Sequence, residues 1–267
     1  MAIATIACGL LGRWATGSDA VGVCSAALFA LWPVATEIYP GSRGGDSGTQ
    51  LTDLGLELVT EPLSTALVAA ALALVVRPGR GASAHVGAGV LFGFATAVKL
   101  TNGLVAAAIV PLVLWRDGAR AAARYAAGGL LFAPLVGVYW DKGYVEIYDG
   151  SISAIERPWS LSYAIDNWTD STLFTPPLLA VLAPLLLAGV VVLRDRSTVT
   201  VLLAPVVLTV AVYSVYAYTA LHPRFLFVAL PSVFVLEATS MVVLVRGLRR
   251  RARARRRRRL ERSAPGW

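Results

Sequence analysis

Apolar residues in this chain form long uninterrupted runs, and most charged residues lie between the runs. Residues 174–193 and 199–218 carry no charge, and residues 225–245 carry only Glu237. Each run has the ~20 residues that an α-helix needs to cross a bilayer. In lipid the backbone must satisfy its own hydrogen bonds, and these runs lack the alternating pattern of a barrel. They therefore predict transmembrane helices.

Shorter apolar runs extend this pattern towards the N-terminus. They cover residues 1–12, 20–36, 62–76, 86–98, 100–115 and 125–140. The chain is therefore predicted to be an all-α, polytopic transmembrane helical bundle of about nine spans or partial spans. The first run is about half a span and has neither a basic leading region nor a cleavage signal. We interpret it as the second half of a helix whose first half is absent.

Lys99 is the one charged residue between residues 86 and 115. Residues 86–98 and 100–115 are each short for a ~30 Å crossing, and together they are too long for one. We therefore predict two short helices broken at the segment Lys99-Leu-Thr-Asn-Gly103, with Thr101 or Asn102 capping the second helix. An ammonium beside a helix N-terminus suits an anion. The alternative is that Lys99 reaches the lipid headgroups as an ordinary interfacial cation.

Composition supports a membrane protein and locates its positive charge. The 267 residues are 57% hydrophobic and 15% charged, whereas soluble domains carry roughly a quarter charged residues. The net charge of +8 comes from residues 246–262, which hold 11 arginines and one glutamate. Because this arginine tail directly follows a span, we predict that it binds anionic lipid and not nucleic acid.

The basic residues also predict the orientation. When the turns between runs are assigned alternately to two sides, one side receives 19 of the 24 basic residues, including the tail. Basic residues favour the cytoplasm, so we predict a multi-pass cell-membrane protein with a cytoplasmic C-terminus. Residues 1–245 form the predicted transmembrane domain, with a long outer loop at 141–173, and residues 246–267 form the tail.

Charged residues on the predicted outer side are candidates for chemistry. They are a catalytic pair, Glu57 and Glu61, and four substrate-binding residues, Lys99, Asn102, His222 and Arg224. Arginine or lysine neutralises a lipid phosphate, and a carboxylate acts as general base on an acceptor hydroxyl. The alternative is that all are ordinary interfacial charges. The two histidines and two cysteines predict no metal site, cofactor or disulfide, and a divalent metal requirement is left open.

Two stretches carry a resemblance to a known protein class. The first runs from Leu58-Val-Thr-Glu61-Pro-Leu63 to Gly89-Val-Leu-Phe-Gly93 and on to Lys99-Leu-Thr-Asn-Gly103. The second is His222-Pro-Arg224-Phe-Leu-Phe-Val-Ala-Leu-Pro231, before and within the last span. Together they resemble the multi-pass glycosyltransferases of the GT-C class, above all the family 39, protein-mannosyltransferase-like branch. The similarity covers about residues 1–245, and its motifs are apolar and degenerate.

The resemblance implies transfer of a sugar from a polyprenyl-phosphate donor to an acceptor on the outer face. It implies a catalytic role for Glu61 or Glu57 and contacts from Lys99 and Arg224 to the donor phosphate. This family places its catalytic carboxylate in a first outer loop, which this chain lacks. Either an upstream segment is missing, or a separate chain supplies it, or the protein is not a working transferase. We therefore expect little or no transfer by the isolated chain.

Two other functions fit the same pattern. Broken helices with buried charge also occur in carriers, so a carrier or flippase for lipid-linked sugars is one alternative. A non-catalytic membrane assembly subunit, anchored by its arginine tail, is the other. The sequence names neither the sugar nor the acceptor.

Overall fold

The computed structural model describes residues 1–38, 60–139, 160–169, 176–216 and 227–263. Within these ranges the chain is helical and forms no strand, which confirms the predicted all-α class. In chain order the helices are α1 (Ala2–Thr16), α2 (Asp19–Ile38), α3 (Thr60–Val76), α4 (Ala82–Val98), α5 (Asn102–Asp117), α6 (Ala119–Leu130), α7 (Ala133–Tyr139), α8 (Ser162–Thr169), α9 (Pro176–Val192), α10 (Arg196–Ser214) and α11 (Leu230–Ser263).

Among the described residues, two segments are long and apolar enough to cross a membrane by length and composition. They are Arg196–Ser214 and Phe227–Arg255. The shorter apolar helices are Ala2–Thr16, Asp19–Trp32, Pro62–Val76, Ala82–Val98 and Ala183–Val192. Helices of 15–17 residues, such as α1 and α3, rise ~22–26 Å, which is less than the hydrocarbon thickness of a typical bilayer.

The region after α5 differs from its prediction. Residues 116–124 were expected to form a basic turn and residues 125–140 one span. Instead the turn is confined to Gly118, whose φ of 87° favours glycine, and α6 begins directly after it. The arginines of α6 lie on its exposed side, while Tyr125 is buried and donates a hydrogen bond of 3.0 Å to the Ala106 carbonyl. A second break at Leu131 and Phe132 separates α6 from α7.

The arginine tail continues the last helix without a break. The final apolar run was expected to end at Val245, but α11 extends over 34 residues to Ser263. Val243, Leu244 and Val245 are exposed apolar residues, and the arginines follow directly. The tail, as far as Ser263, therefore continues the bundle's last helix.

Glycines bring three pairs of helices into backbone contact. On α4, a Cβ added at Gly89 or Gly93 would collide with the carbonyls of Tyr125 and Gly129 on α6. On α2, a Cβ at Gly22 would lie 2.8 Å from the Gly9 carbonyl oxygen on α1. Gly189 on α9 lies similarly close to the backbone of α11 at Leu236. Small residues at such crossings are typical of helix packing in membranes.

We predict that Gly89→Ala destabilises the protein by about 1–3 kcal/mol, because the added methyl group overpacks a backbone contact. The control is Gly137→Ala on α7, where an added Cβ meets nothing within 4 Å. The control should leave stability unchanged or raise it slightly, since alanine favours helix. Thermal unfolding of the detergent-purified variants, followed by circular dichroism, measures both. Equal midpoints for the two variants would contradict the close α4–α6 contact.

Basic turns gather at one end of the bundle. This arginine end comprises residues 17–18, 77–81 and 118, together with Arg246. The Arg77 guanidinium lies 5.4 Å from the centre of the Trp14 ring, which joins the ends of α1 and α3. Arg246 donates a hydrogen bond of 3.1 Å to Ser18 Oγ. The gathering agrees with the assignment of these turns to one side from the sequence.

Asp117 is the anionic centre of the arginine end. Its carboxylate accepts hydrogen bonds from Arg80 and Arg116 and lies 3.1 Å from His85 Nε2. Arg116 also donates to the Val75 carbonyl, so the cluster joins the ends of α3 and α5 to the start of α4. Burial acts to raise the pKa of Asp117, but the hydrogen bonds from Arg80, Arg116 and His85 outweigh it and hold that pKa well below its usual range.

Asp117→Asn should destabilise the protein by about 3 kcal/mol near neutral pH, because it leaves two half-buried arginines without their carboxylate. A carboxyl group with a lowered pKa contributes its stability above the unfolded pKa of ~3.9 and loses it as pH falls through the folded pKa. The difference in unfolding free energy between wild type and variant should therefore narrow below about pH 4. Chemical denaturation at several pH values measures it.

Asp19→Asn is the matched control for this experiment. It removes a carboxylate whose ion pair with Arg13 is solvent-exposed, with side chains 59% and 79% accessible. Exposed pairs contribute about 0–1 kcal/mol, so a small effect is expected. Losses of similar size in both variants would contradict a special role for the Asp117 cluster.

Candidate functional site at the Lys99 break

The predicted helix break at Lys99 is present. α4 ends at Val98, and Lys99 adopts an extended conformation, with φ −150° and ψ 111°, before α5 begins at Asn102. The Lys99 amide still donates to the Ala95 carbonyl at 2.9 Å, so Lys99 closes the last turn of α4. The Lys99 side chain is half-buried. The break lies at the opposite end of α5 from Asp117, ~24 Å away by helix rise.

The start of α5 is not the open anion site that the sequence predicted. Its first amide donors, those of Asn102, Gly103 and Leu104, already bond to the carbonyls three residues earlier, at 2.9–3.2 Å. Thr101 precedes the helix but makes no side-chain capping bond. An anion at this end would therefore interact mainly with the Lys99 ammonium and the helix dipole, not with free backbone N–H groups.

Asn102 holds the break to two other parts of the bundle. Its side-chain amide nitrogen donates to Ser64 Oγ at 2.6 Å and to the Ala95 carbonyl at 2.9 Å. The residue is only 2% exposed and Ser64 is fully buried. Asn102 was expected to cap α5 or to bind substrate; instead its amide nitrogen fixes the first turns of α3 to the end of α4. Ser64 gave no sequence signal, because a serine in an apolar helix is common.

Tyr213, near the end of α10, completes the surroundings of Lys99. Its hydroxyl lies 3.0 Å from Thr101 Oγ1, and the Lys99 ammonium lies 5.5 Å from the centre of its ring. Tyr213 is 5% exposed. The sequence analysis missed it; the available signal was a tyrosine near the end of an apolar run, where amphipathic aromatics favour the interface.

A narrow recess lies between α5 and α10 at the Lys99 break. Half of its lining residues are aliphatic, and its polar residues come from both the break and α10. The lining residues are Lys99, Thr101, Asn102, Leu104, Val105, Leu208, Thr209, Val212, Tyr213 and Val228. The cavity volume is ≈ 10 Å³, about the room that one water molecule needs. The recess therefore combines a cation, hydroxyl groups and an aliphatic wall.

The other predicted site residues fall at the limits of the described structure. The backbone of Glu61 lies in the first turn of α3, one turn before Ser64, but its side chain is outside the described residues. Glu57, His222 and Arg224 also lie outside them, as does most of the predicted loop 141–173. Among the residues that the structure describes, no three histidine, cysteine or acidic side chains are placed to hold a metal ion.

Comparison with known proteins adds no relative. No protein-family model matches the sequence, and no curated protein or solved structure is significantly similar to it.

We predict that Asn102→Leu destabilises the protein by about 1–3 kcal/mol, because the buried Ser64 hydroxyl loses this donor and the Ala95 carbonyl keeps only the Lys99 amide. Ser64→Ala removes one of these bonds and should cost less, about 1 kcal/mol. Because the two side chains share a bond, their effects should not add in a double-mutant cycle. Additive losses, measured by denaturant unfolding, would show that the 2.6 Å contact does not couple the two helices.

Proposed function

We propose that this chain is a multi-pass membrane protein that binds a lipid-linked phosphate at the Lys99 break. We further propose that it is a glycosyltransferase of the GT-C type, using a polyprenyl-phosphate sugar on the outer face of the cell membrane. In this reaction the bond between the sugar and the donor phosphate breaks, and a bond to an acceptor oxygen forms. The acceptor proton passes to a carboxylate, and polyprenyl phosphate leaves.

Exposed apolar side chains support the membrane part of the proposal. Large apolar residues on several helices face outward, among them Trp115, Leu131 and Val191, which are 71%, 69% and 74% exposed. A soluble monomer rarely leaves so many large apolar groups in water, whereas lipid would cover them. The glycine-mediated helix crossings agree with packing in lipid, where small residues at helix interfaces are common.

Short helices are compatible with this arrangement. A hydrophobic helix shorter than the bilayer is accommodated by local thinning, at a cost of fractions of a kcal/mol per ångström. α4 and α5 together would then form two short crossings, with the Lys99 break at one surface and the Asp117 cluster at the other. The basic turns at the arginine end favour the cytoplasmic side for that end.

The observation that carries the proposal is the recess at the Lys99 break, which joins residues that are far apart in the sequence. Lys99 and Asn102 line it together with Tyr213 of α10 and with Val228. Asn102 also donates a hydrogen bond to Ser64 on α3, a helix whose first turn holds the Glu61 backbone. The candidate phosphate ligand Lys99 therefore lies in a recess with both polar and aliphatic lining, and this supports the proposal.

The recess has both kinds of surface that a polyprenyl phosphate needs. Lys99 and the hydroxyls of Thr101 and Tyr213 offer charge and hydrogen bonds for a phosphate. Leu104 and Leu208 offer part of an aliphatic wall for the chain. The present volume admits about one water molecule, so binding requires the lining side chains to move apart. Glu61 or Glu57 would act as the base, and His222 and Arg224 would contact the donor.

Lys99→Met tests the proposed phosphate contact. The variant should bind a long-chain polyprenyl phosphate about 10- to 100-fold more weakly, since a hydrogen bond to a charged group contributes ~1.5–3 kcal/mol. The matched control is Lys142→Met, which changes the chain's other lysine and lies outside the residues that the structure describes. Binding is measured by quenching of intrinsic tryptophan fluorescence in detergent. Equal affinities for wild type and both variants would reject Lys99 as a phosphate ligand.

Cysteine labelling tests the proposed orientation. In a chain with Cys8 and Cys24 replaced by alanine, Ser151→Cys should react with a membrane-impermeant thiol reagent in intact cells. Ser263→Cys should react only after the cells are opened. Labelling is measured by gel shift of the tagged protein. The reverse pattern would place the Lys99 break on the cytoplasmic side and reject an outer-face transferase.

A further inference from the structure

We propose that Tyr213 is the positioning residue for the Lys99 ammonium, so that the phosphate site is built by α10 as much as by the α4–α5 break. This inference rests on the proposed function, and it names a residue from a part of the chain that none of the sequence candidates include. Tyr213 would act through Lys99 and Thr101 rather than on the reacting atoms.

Two separate contacts tie Tyr213 to the break. The ring face lies 5.5 Å from Lys99 Nζ, within the range of a cation–π interaction. The hydroxyl lies 3.0 Å from Thr101 Oγ1, two residues further along the break. The ring thus contacts the Lys99 ammonium, and the hydroxyl contacts Thr101 in the segment that carries Lys99. The two contacts can be removed one at a time by substitution.

A tyrosine ring suits a cation that must also bind phosphate. An aromatic face attracts an ammonium through the ring's quadrupole. It does not accept a conventional hydrogen bond from the ammonium N–H groups. The contact restricts where the flexible lysine side chain lies without competing with a phosphate oxygen for the same donors. A carboxylate in the same position would neutralise the lysine and repel the ligand. Preorganising the cation in this way lowers the entropy cost of binding.

The setting of Tyr213 makes it a rigid support. It is 5% exposed, and its neighbour Tyr216, 8% exposed, packs edge-on to it with ring centres 6.1 Å apart. Leu208, Thr209 and Val212 place the preceding turns of α10 along the same recess. Because Tyr216 is an adjacent, similarly buried tyrosine that does not line the recess, it supplies the matched control.

The first test is spectroscopic and needs no ligand. The chain has two lysines, Lys99 and Lys142, so Lys142→Arg leaves a single lysine. Reductive methylation with ¹³C-formaldehyde labels Lys99, which keeps its charge, and the N-terminal amine, which resonates separately. The Lys99 methyl signal should be shifted upfield by the Tyr213 ring current. Tyr213→Phe should keep the shift and Tyr213→Leu should abolish it, whereas Tyr216→Leu should leave it in place.

The second test measures affinity for a long-chain polyprenyl phosphate. Tyr213→Leu should weaken binding about 10-fold, the value expected for loss of a partly desolvated cation–π contact. Tyr213→Phe and Thr101→Val each remove the hydroxyl contact alone and should agree with one another, at about 2- to 5-fold. Tyr216→Phe should bind as wild type. Thermal unfolding of each variant confirms that the compared proteins are folded.

The outcomes separate this inference from the proposed function. A ring-current shift in wild type with no binding of polyprenyl phosphate would overturn the proposed function and, with it, the phosphate role of Tyr213. Binding by wild type that Tyr213→Leu leaves unchanged would overturn the positioning role while the proposed function stands. A wild-type Lys99 signal without a ring-current shift would also overturn the positioning role of Tyr213. If Tyr213→Leu fails to fold, equal affinities for wild type, Tyr213→Phe and Thr101→Val would overturn the hydroxyl contact.

Discussion

The Asn102 side chain is the contact on which the geometry of the Lys99 break depends. Both hydrogens of its amide are used, one for a hydroxyl on α3 and one for a carbonyl of α4. The Ala95 carbonyl also accepts the Lys99 amide, so Asn102 is a second donor at the end of α4. The bond lets the chain leave one helix and start the next within three residues. It also fixes where Lys99 emerges between the helices.

The two ends of α5 are stabilised by different physics. At the arginine end, one carboxylate joins three basic side chains, so that end depends on pH and on salt. The contacts at the Lys99 break include hydrogen bonds between neutral groups and a cation–π contact. Hydrogen bonds between neutral groups are less sensitive to pH and salt than ion pairs are.

The sequence predicted much of the fold because the apolar helices appear in it as long runs of apolar residues. The break at Lys99 and the gathering of the basic turns follow from where charged residues interrupt the apolar runs. The basic turn at residues 116–124 was wrong for a related reason. Arg120 and Arg124 fall one turn apart on the exposed side of α6, so their charge marks a helix face and not a turn.

The site was less predictable, since its contacts join residues that are distant in the chain. No local pattern around Ser64 or Tyr213 indicates its partner, which lies 38 residues away for Ser64 and 112 residues away for Tyr213. No pattern in the sequence distinguishes Asp117, and its role depends on two other helix ends. Thr101 was expected to cap α5, but the amides of that first turn bond instead to the carbonyls of the break. Charge and periodicity in the sequence predict where a helix break lies, whereas tertiary packing determines which residues contact that break.

Because α11 continues into the tail without a break, the arginines of the tail lie at increasing distances along one helix. The 18 residues from Arg246 to Ser263 rise ~26 Å along the helix axis. The screening length at physiological ionic strength is only ~8 Å. If the helix keeps its direction, its first arginines lie within electrostatic reach of a bilayer, while the later ones lie two or three screening lengths beyond. The membrane-near part of the tail would then respond to lipid composition, and its far part to whatever polyanions the surrounding solution contains.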